Sequence, residues 1–434
     1  VHNLAMTTSE PEIRASIKKL IETYSENYLL TPFDPANPVV KLHEPTFGAD
    51  EIWEALDSLF TTQVTMGEKV RRFEKEFGEY HGFANSMMVN SGSSANLLAI
   101  AALTNPTYPA RLQPGDEVIV PALSWSTTIW PLVQHGLVPV FVDVDPTTLN
   151  IDPAEIEQAI SEKTRAVMLV HVYGNPCDMA SIADIVKRHN LLLIEDCCEA
   201  LGAAYGGKPV GSFGQVGTFS FYFSHHMTTL EGGMCVTSDH DSAELIRVLR
   251  AHGWVRETED RESILKQYPG FDPKFLFVNV GYNLRATELQ GGFGYQQLGK
   301  LQGFVDVRTD NAAYWRNELG NLGDFFDFQE QTAGGVHSWF GYPMAVKEEA
   351  PFNSIELCDF LNRHNVETRP IVAGNITKQP AMQYHDYRVV GDLANCDYVM
   401  RNGFTFGNHQ AVDHPAREYI SETFRSFLAK RGLL

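Results

Sequence analysis

The sequence predicts an α/β protein with a large domain on a mainly parallel, seven-stranded sheet, followed by a smaller α+β domain. Two observations carry this. From about Phe47 to Gly299, short apolar runs rich in β-branched residues alternate with amphipathic stretches, the pattern of strands joined by crossover helices. After Leu301 the alternation stops, and a helix, a strand and a helix follow without that rhythm. A chain of 434 residues also exceeds what one compact core usually holds.

In chain order, residues 11–30 mix polar and apolar positions as a helix does, and a proline-rich extended stretch follows over 31–40. Residues 1–45 therefore read as an N-terminal extension, 46–300 as the large domain and 301–434 as the small one. Strands are expected at 86–90, 117–121, 138–144, 166–172, 191–196, 217–222 and 234–237. Helices are expected between them at 94–103, 127–135, 153–160 and 181–189. The small domain should hold a helix near 311–320, a strand near 339–346 and a helix near 354–364.

Composition narrows the function. A net charge of −20 without any basic block argues against nucleic acid as a partner. It leaves room for a phosphorylated small molecule, because local amides and a few cations can outweigh the global charge. No apolar run is long enough to cross a bilayer, and the opening shows no signal pattern, which points to the cytoplasm. Cys177, Cys197, Cys198, Cys235, Cys358 and Cys396 form no C-x-x-C pair and read as reduced thiols, with no metal site expected.

Several strand ends carry polar residues suited to one ligand. Asn90-Ser91-Gly92-Ser93-Ser94 opens a helix, where free amides and the helix dipole favour a phosphate; taken alone it reads first as an ordinary N-cap by Ser93, since capping serines are common. Trp125 lies just past a strand end, where an indole can cover a planar ring or simply fill the core. The apolar run 191–194 ends in Glu195-Asp196-Cys197-Cys198-Glu199, acids at the carboxyl end of a parallel strand, where α/β folds keep their ligands. Glu199 is otherwise a solvated acid at a helix start. Further on stand Phe219-Ser220-Phe221-Tyr222-Phe223-Ser224-His225-His226, then Glu231-Gly232-Gly233, then Gly281-Tyr282-Asn283-Leu284-Arg285.

Together and in this order, these segments resemble the sugar aminotransferase branch of the fold-type I (aspartate-aminotransferase-like) pyridoxal-phosphate enzymes, over roughly residues 42–299 and more weakly beyond. The resemblance implies that Ser93, Ser94 and Ser220 bind the cofactor phosphate, that Trp125 stacks on its ring, and that Asp196 pairs with the pyridine nitrogen. It implies that Glu199 meets the ring hydroxyl or adjusts His225, and that Asn283 reaches the phosphate of a second subunit in a homodimer. His225 stands where the family's cofactor-binding lysine belongs, six residues before Glu231. An imidazole cannot form the covalent bond that a lysine amine makes with the cofactor aldehyde, yet it can move protons near neutral pH.

A histidine for lysine exchange marks the 3-dehydratases of nucleotide-linked 4-keto-6-deoxyhexoses, which use pyridoxamine phosphate. One of their branches adds an iron-sulfur cluster on four cysteines, three of them clustered downstream of the histidine. Here no cysteine lies between Cys235 and Cys358, so a cluster-free enzyme is expected, regenerated by an amino donor such as glutamate. Arg369, Asn375 and His409 sit in segments resembling the substrate-side loops of these enzymes, and Arg369 is equally a surface or interface arginine. Two other readings stay open: an aminotransferase served by another lysine, and an inactive cofactor-binding homologue. Against the first, no lysine lies between Lys208 and Lys266.

Overall fold

The computed structural model describes residues 9–29 and 32–434; residues 1–8, 30 and 31, which hold part of the expected extension and the end of its helix, lie outside the described residues. All seven expected strands form: β1 (Asn85–Val89), β2 (Glu117–Pro121), β3 (Val138–Val142), β4 (Thr164–Val170), β5 (Leu192–Asp196), β6 (Val216–Ser220) and β7 (Gly233–Thr237). They lie in the order β1-β7-β6-β5-β4-β2-β3, and only β7 runs antiparallel to its neighbours. The central strands are apolar almost throughout because helices cover both faces of the sheet.

The sheet has one strand more than expected. β8 (Arg388–Val389) comes from the C-terminal region and adds in parallel to the edge strand β3. Two residues give no period to read; what fixes them is the Arg388 guanidinium, 2.7 Å from the Glu117 carboxylate of β2.

The small domain packs an antiparallel sheet, Phe326–Phe328, Met344–Val346, Gly403–Phe406 and Thr368–Arg369, against the helices Leu301–Leu319, Ser354–Arg363 and His414–Ala429. Trp315 sits fully buried at its centre, edge-on to Phe406 at 4.8 Å. The strand expected at 339–346 shrinks to its last three residues. Ser338 and Phe340 instead donate to the backbone of Gly174 and Tyr173, which carries this loop to the large domain.

The extension is not detached. Its helix Glu10–Tyr24 lies on Ala49–Phe60 through an Arg14–Asp57 ion pair and the Arg14 guanidinium over Trp53. Val40 enters the small-domain core and bridges Val366. Among the described residues, no helix is long and apolar enough to cross a membrane.

Candidate active site

The carboxyl ends of the parallel strands open into a cavity of about 460 Å³, walled on its far side by Phe340, Arg369 and Val372 of the small domain. At its inner end the helix Gly92–Leu103 points its first amides inward. The amides of Gly92 and Ser93 have no intrahelical acceptor. A β-carbon on Gly92 would lie 2.5 Å from that of Ser220 and 3.0 Å from the Cys198 sulfur, so only glycine lets the helix come this close to β6. Ser91, Ser93 and Ser220 line this narrow end. Ser94 does not, because its amide donates to Ser91 Oγ and its hydroxyl to Asn90 Oδ1.

Asp196, last residue of β5, is almost wholly buried yet lines the cavity. Its Oδ2 accepts from Asn96 Nδ2 and Thr128 Oγ1, both at 2.8 Å, and its Oδ1 from the Cys198 amide at 3.1 Å. Thr218 donates to Asn96 Oδ1 at 2.6 Å, which fixes the amide so that its nitrogen faces the carboxylate. Three side chains and an amide thus hold one carboxylate in place. Trp125, half exposed, stands at the start of the helix Ser126–Gln134 and lines the same chamber.

Glu199, partly buried, lines the same cavity, its Oε2 accepting the Tyr173 amide at 2.9 Å. Burial pushes its carboxyl up to about 7, with Asp196 adding to the rise while the Tyr173 amide and Arg369 oppose it. The folded protein therefore holds this proton more tightly than the unfolded chain does. Stability from it is complete below the ordinary glutamate range and is lost as pH rises towards 7. Glu199→Gln, which keeps a neutral group, should stabilise the cofactor-free protein at pH 8 by up to roughly 3 kcal/mol, seen as a higher melting temperature, and change it little at pH 5. Equal melting of both proteins at pH 8 would contradict the raised carboxyl.

His225 follows a turn closed by its own amide donating to Tyr222. Its ring sits edge-on to Phe340 at 5.0 Å and to Tyr222 at 6.0 Å, and its Nδ1 has no hydrogen-bond partner. Burial, then the Arg308 and Arg369 cations, push it down to about 3, so at neutral pH it is an unprotonated imidazole. Arg308 is itself buried without a carboxylate, caged by the carbonyls of Trp339, Phe340 and Asn408. His226 points away and meets the Ser338 carbonyl at 2.9 Å. Among the described residues, no lysine lines the cavity.

The backbone around this chamber is strained. Tyr173, Trp339 and Val372 adopt φ of 57°, 50° and 48°, conformations that cost of order 1–3 kcal/mol each and that cluster at functional sites.

The structure brings Ser93, Trp125, Asp196, Glu199, Ser220, His225 and Arg369 together in one cavity, and leaves three residues expected there out of it. Besides Ser94, Asn375 is buried and caps a short turn, accepting from Thr377 and donating to Asp397 at 2.6 Å. His409 is buried too, its Nε2 on the Lys41 carbonyl at 3.0 Å and its Nδ1 accepting from Ala411. Both spend their polar atoms on fastening loops. Asn283 is exposed and accepts from Arg285 at 3.1 Å, away from the cavity of its own chain.

Residues not anticipated include Asn96, Thr128, Tyr173, Phe340 and His43. Asn96 had a signal, a lone amide within an otherwise apolar helix; the others come from distant segments and had none. His171, Glu195 and Cys197 are the one group of potential metal donors within 4.8 Å among the described residues. Glu195 there already accepts from His171 and from the amides of Gly211, Phe213 and Gly214, which ties β5 to the loop before β6.

Comparison with known proteins follows the same lines. GDP-4-keto-6-deoxy-D-mannose 3-dehydratase of Yersinia pseudotuberculosis is 43% identical over 349 residues, covering 80% of this chain and 88% of that protein. dTDP-4-dehydro-2,6-dideoxy-D-glucose 3-dehydratase of Saccharopolyspora spinosa is 36% identical over 98% of this chain and 94% of its own length. A crystal structure of GDP-4-keto-6-deoxymannose-3-dehydratase with a trapped PLP-glutamate geminal diamine superposes with a TM-score of 0.84 at 38% identity, covering 88% of this chain and 99% of that one. The aminotransferase family model matches residues 45–425, and the chain belongs to the DegT/DnrJ/EryC1/StrS aminotransferase family.

Proposed function

We propose that this protein removes the 3-hydroxyl of a nucleotide-linked 4-keto-6-deoxyhexose, using vitamin B6 phosphate that is held without a covalent tether. The observation that carries it is His225, a neutral imidazole with a free ring nitrogen, in a cavity whose lining has no lysine among the described residues. The relatives named as 3-dehydratases support the same reading.

The chamber suits the cofactor. The amides of Gly92 and Ser93 with the hydroxyls of Ser93 and Ser220 would hold its phosphate in the cradle that only Gly92 allows. Asp196 would keep the pyridine nitrogen protonated, Trp125 would cover the ring and Glu199 would meet the ring hydroxyl. When bound, the amine form supplies a primary amine for the sugar's keto group and a ring that accepts electrons. His225 would take a proton on its imidazole, unprotonated at neutral pH, and return it to the departing hydroxyl. Phe340 packs edge-on against the His225 ring from the strained loop around it. In the overall balance the sugar loses one oxygen, and one glutamate becomes 2-oxoglutarate and ammonia.

Two finer features belong to this reading. No cysteine interrupts the sequence from Cys235 to Cys358, which supports a reaction without an iron-sulfur cluster. Exposed Tyr268, Phe271, Phe275, Phe277 and Val280 lie close in sequence to Asn283 and support a homodimer in which Asn283 serves the partner's phosphate site. A monomer in sedimentation would count against that pairing.

The test incubates the protein with glutamate and GDP-, CDP- and dTDP-linked 4-keto-6-deoxyhexoses. Mass spectrometry should find a product one oxygen lighter, with one ammonia and one 2-oxoglutarate per turnover. An amino sugar that keeps its 3-hydroxyl would instead make this a transaminase.

A further inference from the structure

Residues 40–46 form a strap from the small domain to the large one, and every residue in it except His43 is tied by hydrogen bonds. Val40 exchanges backbone bonds with Asn365 and Glu367, Leu42 donates to the Glu367 carboxylate, and the Lys41 carbonyl meets His409. The Glu44 and Pro45 carbonyls accept from Gln410, and Thr46 is bonded both ways to Gln297. Among the described residues His43 makes no hydrogen bond: its Nδ1 is buried and unpartnered, and its ring stands edge-on to Phe223 at 4.9 Å while lining the cavity. So firm a mounting for one idle imidazole suggests a ligand.

Charge identifies it. The cavity lining carries three acids, Asp196, Glu199 and Glu231, against a lone formal cation, Arg369, on a chain of net charge −20. A nucleotide sugar brings a diphosphate with two negative charges, and the inner cradle is taken by the cofactor phosphate. From the described residues of this chain, the lining sets a single guanidinium against that diphosphate. Of the two histidines in the lining, His225 is committed to proton transfer and His43 is free.

We propose that His43 and Arg369 together receive the substrate's diphosphate, His43 supplying the second positive charge by taking up a proton as the anion binds. This rests on the function proposed above. Before binding, burial lowers the affinity of His43 for a proton below that of an ordinary histidine, with Arg369 and Lys41 acting the same way and Glu367 and Glu44 opposing them. An incoming dianion reverses that balance, because an opposite charge within a few ångströms favours the charged ring.

The holoenzyme and its His43→Gln and His43→Phe variants, matched for cofactor content and melting temperature, are titrated with GDP-, CDP- and dTDP-linked hexoses that lack the 4-keto group, whose diphosphates do not titrate in this range, by calorimetry from pH 6 to 8. Glutamine keeps a donor without a charge, and phenylalanine keeps the contact with Phe223. For the nucleotide that the wild type binds best, affinity should fall as pH rises, with proton uptake revealed by buffers of different ionisation enthalpy. Both variants should bind about tenfold more weakly at pH 6 and lose the pH dependence. Variants matching the wild type in affinity and proton uptake would overturn the role of His43. A wild type that binds none of the three would overturn the nucleotide-sugar function as well.

Discussion

Replacing His225 by lysine should abolish 3-dehydration and leave the cofactor bonded to the protein. The cavity that keeps the histidine neutral would treat a lysine the same way: burial and the nearby Arg308 and Arg369 cations favour the uncharged amine. An uncharged amine facing the cofactor aldehyde is a nucleophile, so the tether that this chain lacks should form. Losing the imidazole removes the base, an effect of about 10²–10⁴-fold on turnover, and the tether competes for the carbon that the sugar's amine needs. Two measurements decide the matter. Borohydride reduction followed by intact-mass analysis should add one cofactor to the variant and none to the wild type. Product mass spectrometry should find no 3-deoxy sugar from the variant. Unchanged sugar turnover would remove His225 from the chemistry.

The environment of that residue marks the boundary of what the sequence discloses. The seven long strands were legible because each is a short, largely apolar run between helical stretches, and Asp196 was legible because it ends one of them. His225 could be read by its spacing from Glu231. That it is held neutral could not, since Phe340 and Arg308 reach it from far along the chain. The opposite failure befell Asn375 and His409. Polar residues in loops near a site look alike in sequence whether they meet a substrate or a carbonyl, and here both are used up on loop backbone and Asp397. His43 was obscured because a stretch of prolines and a helix before it read as an appendage, whereas the chain bridges Val366 at Val40 and then places His43 in the cavity wall.

Asp196→Asn should lose activity by about 10²–10³-fold, the size of effect found when one preorganised charge contact is removed, while the protein stays folded. The reason lies in the three donors that converge on the carboxylate. Oδ1 can still accept from the Cys198 amide after the exchange, but the new amide nitrogen then faces Asn96 Nδ2, a donor against a donor. Thr128 can turn its hydroxyl to accept instead. One unsatisfied buried donor costs about 1–3 kcal/mol, which lowers the melting point of a domain this size by a few degrees without unfolding it. Thr128→Val separates the two effects. It keeps the negative charge, removes one donor and should retain most activity with a comparable loss of stability. If Asp196→Asn and Thr128→Val fall equally in turnover, Asp196 acts through packing and not through its charge on the pyridine nitrogen.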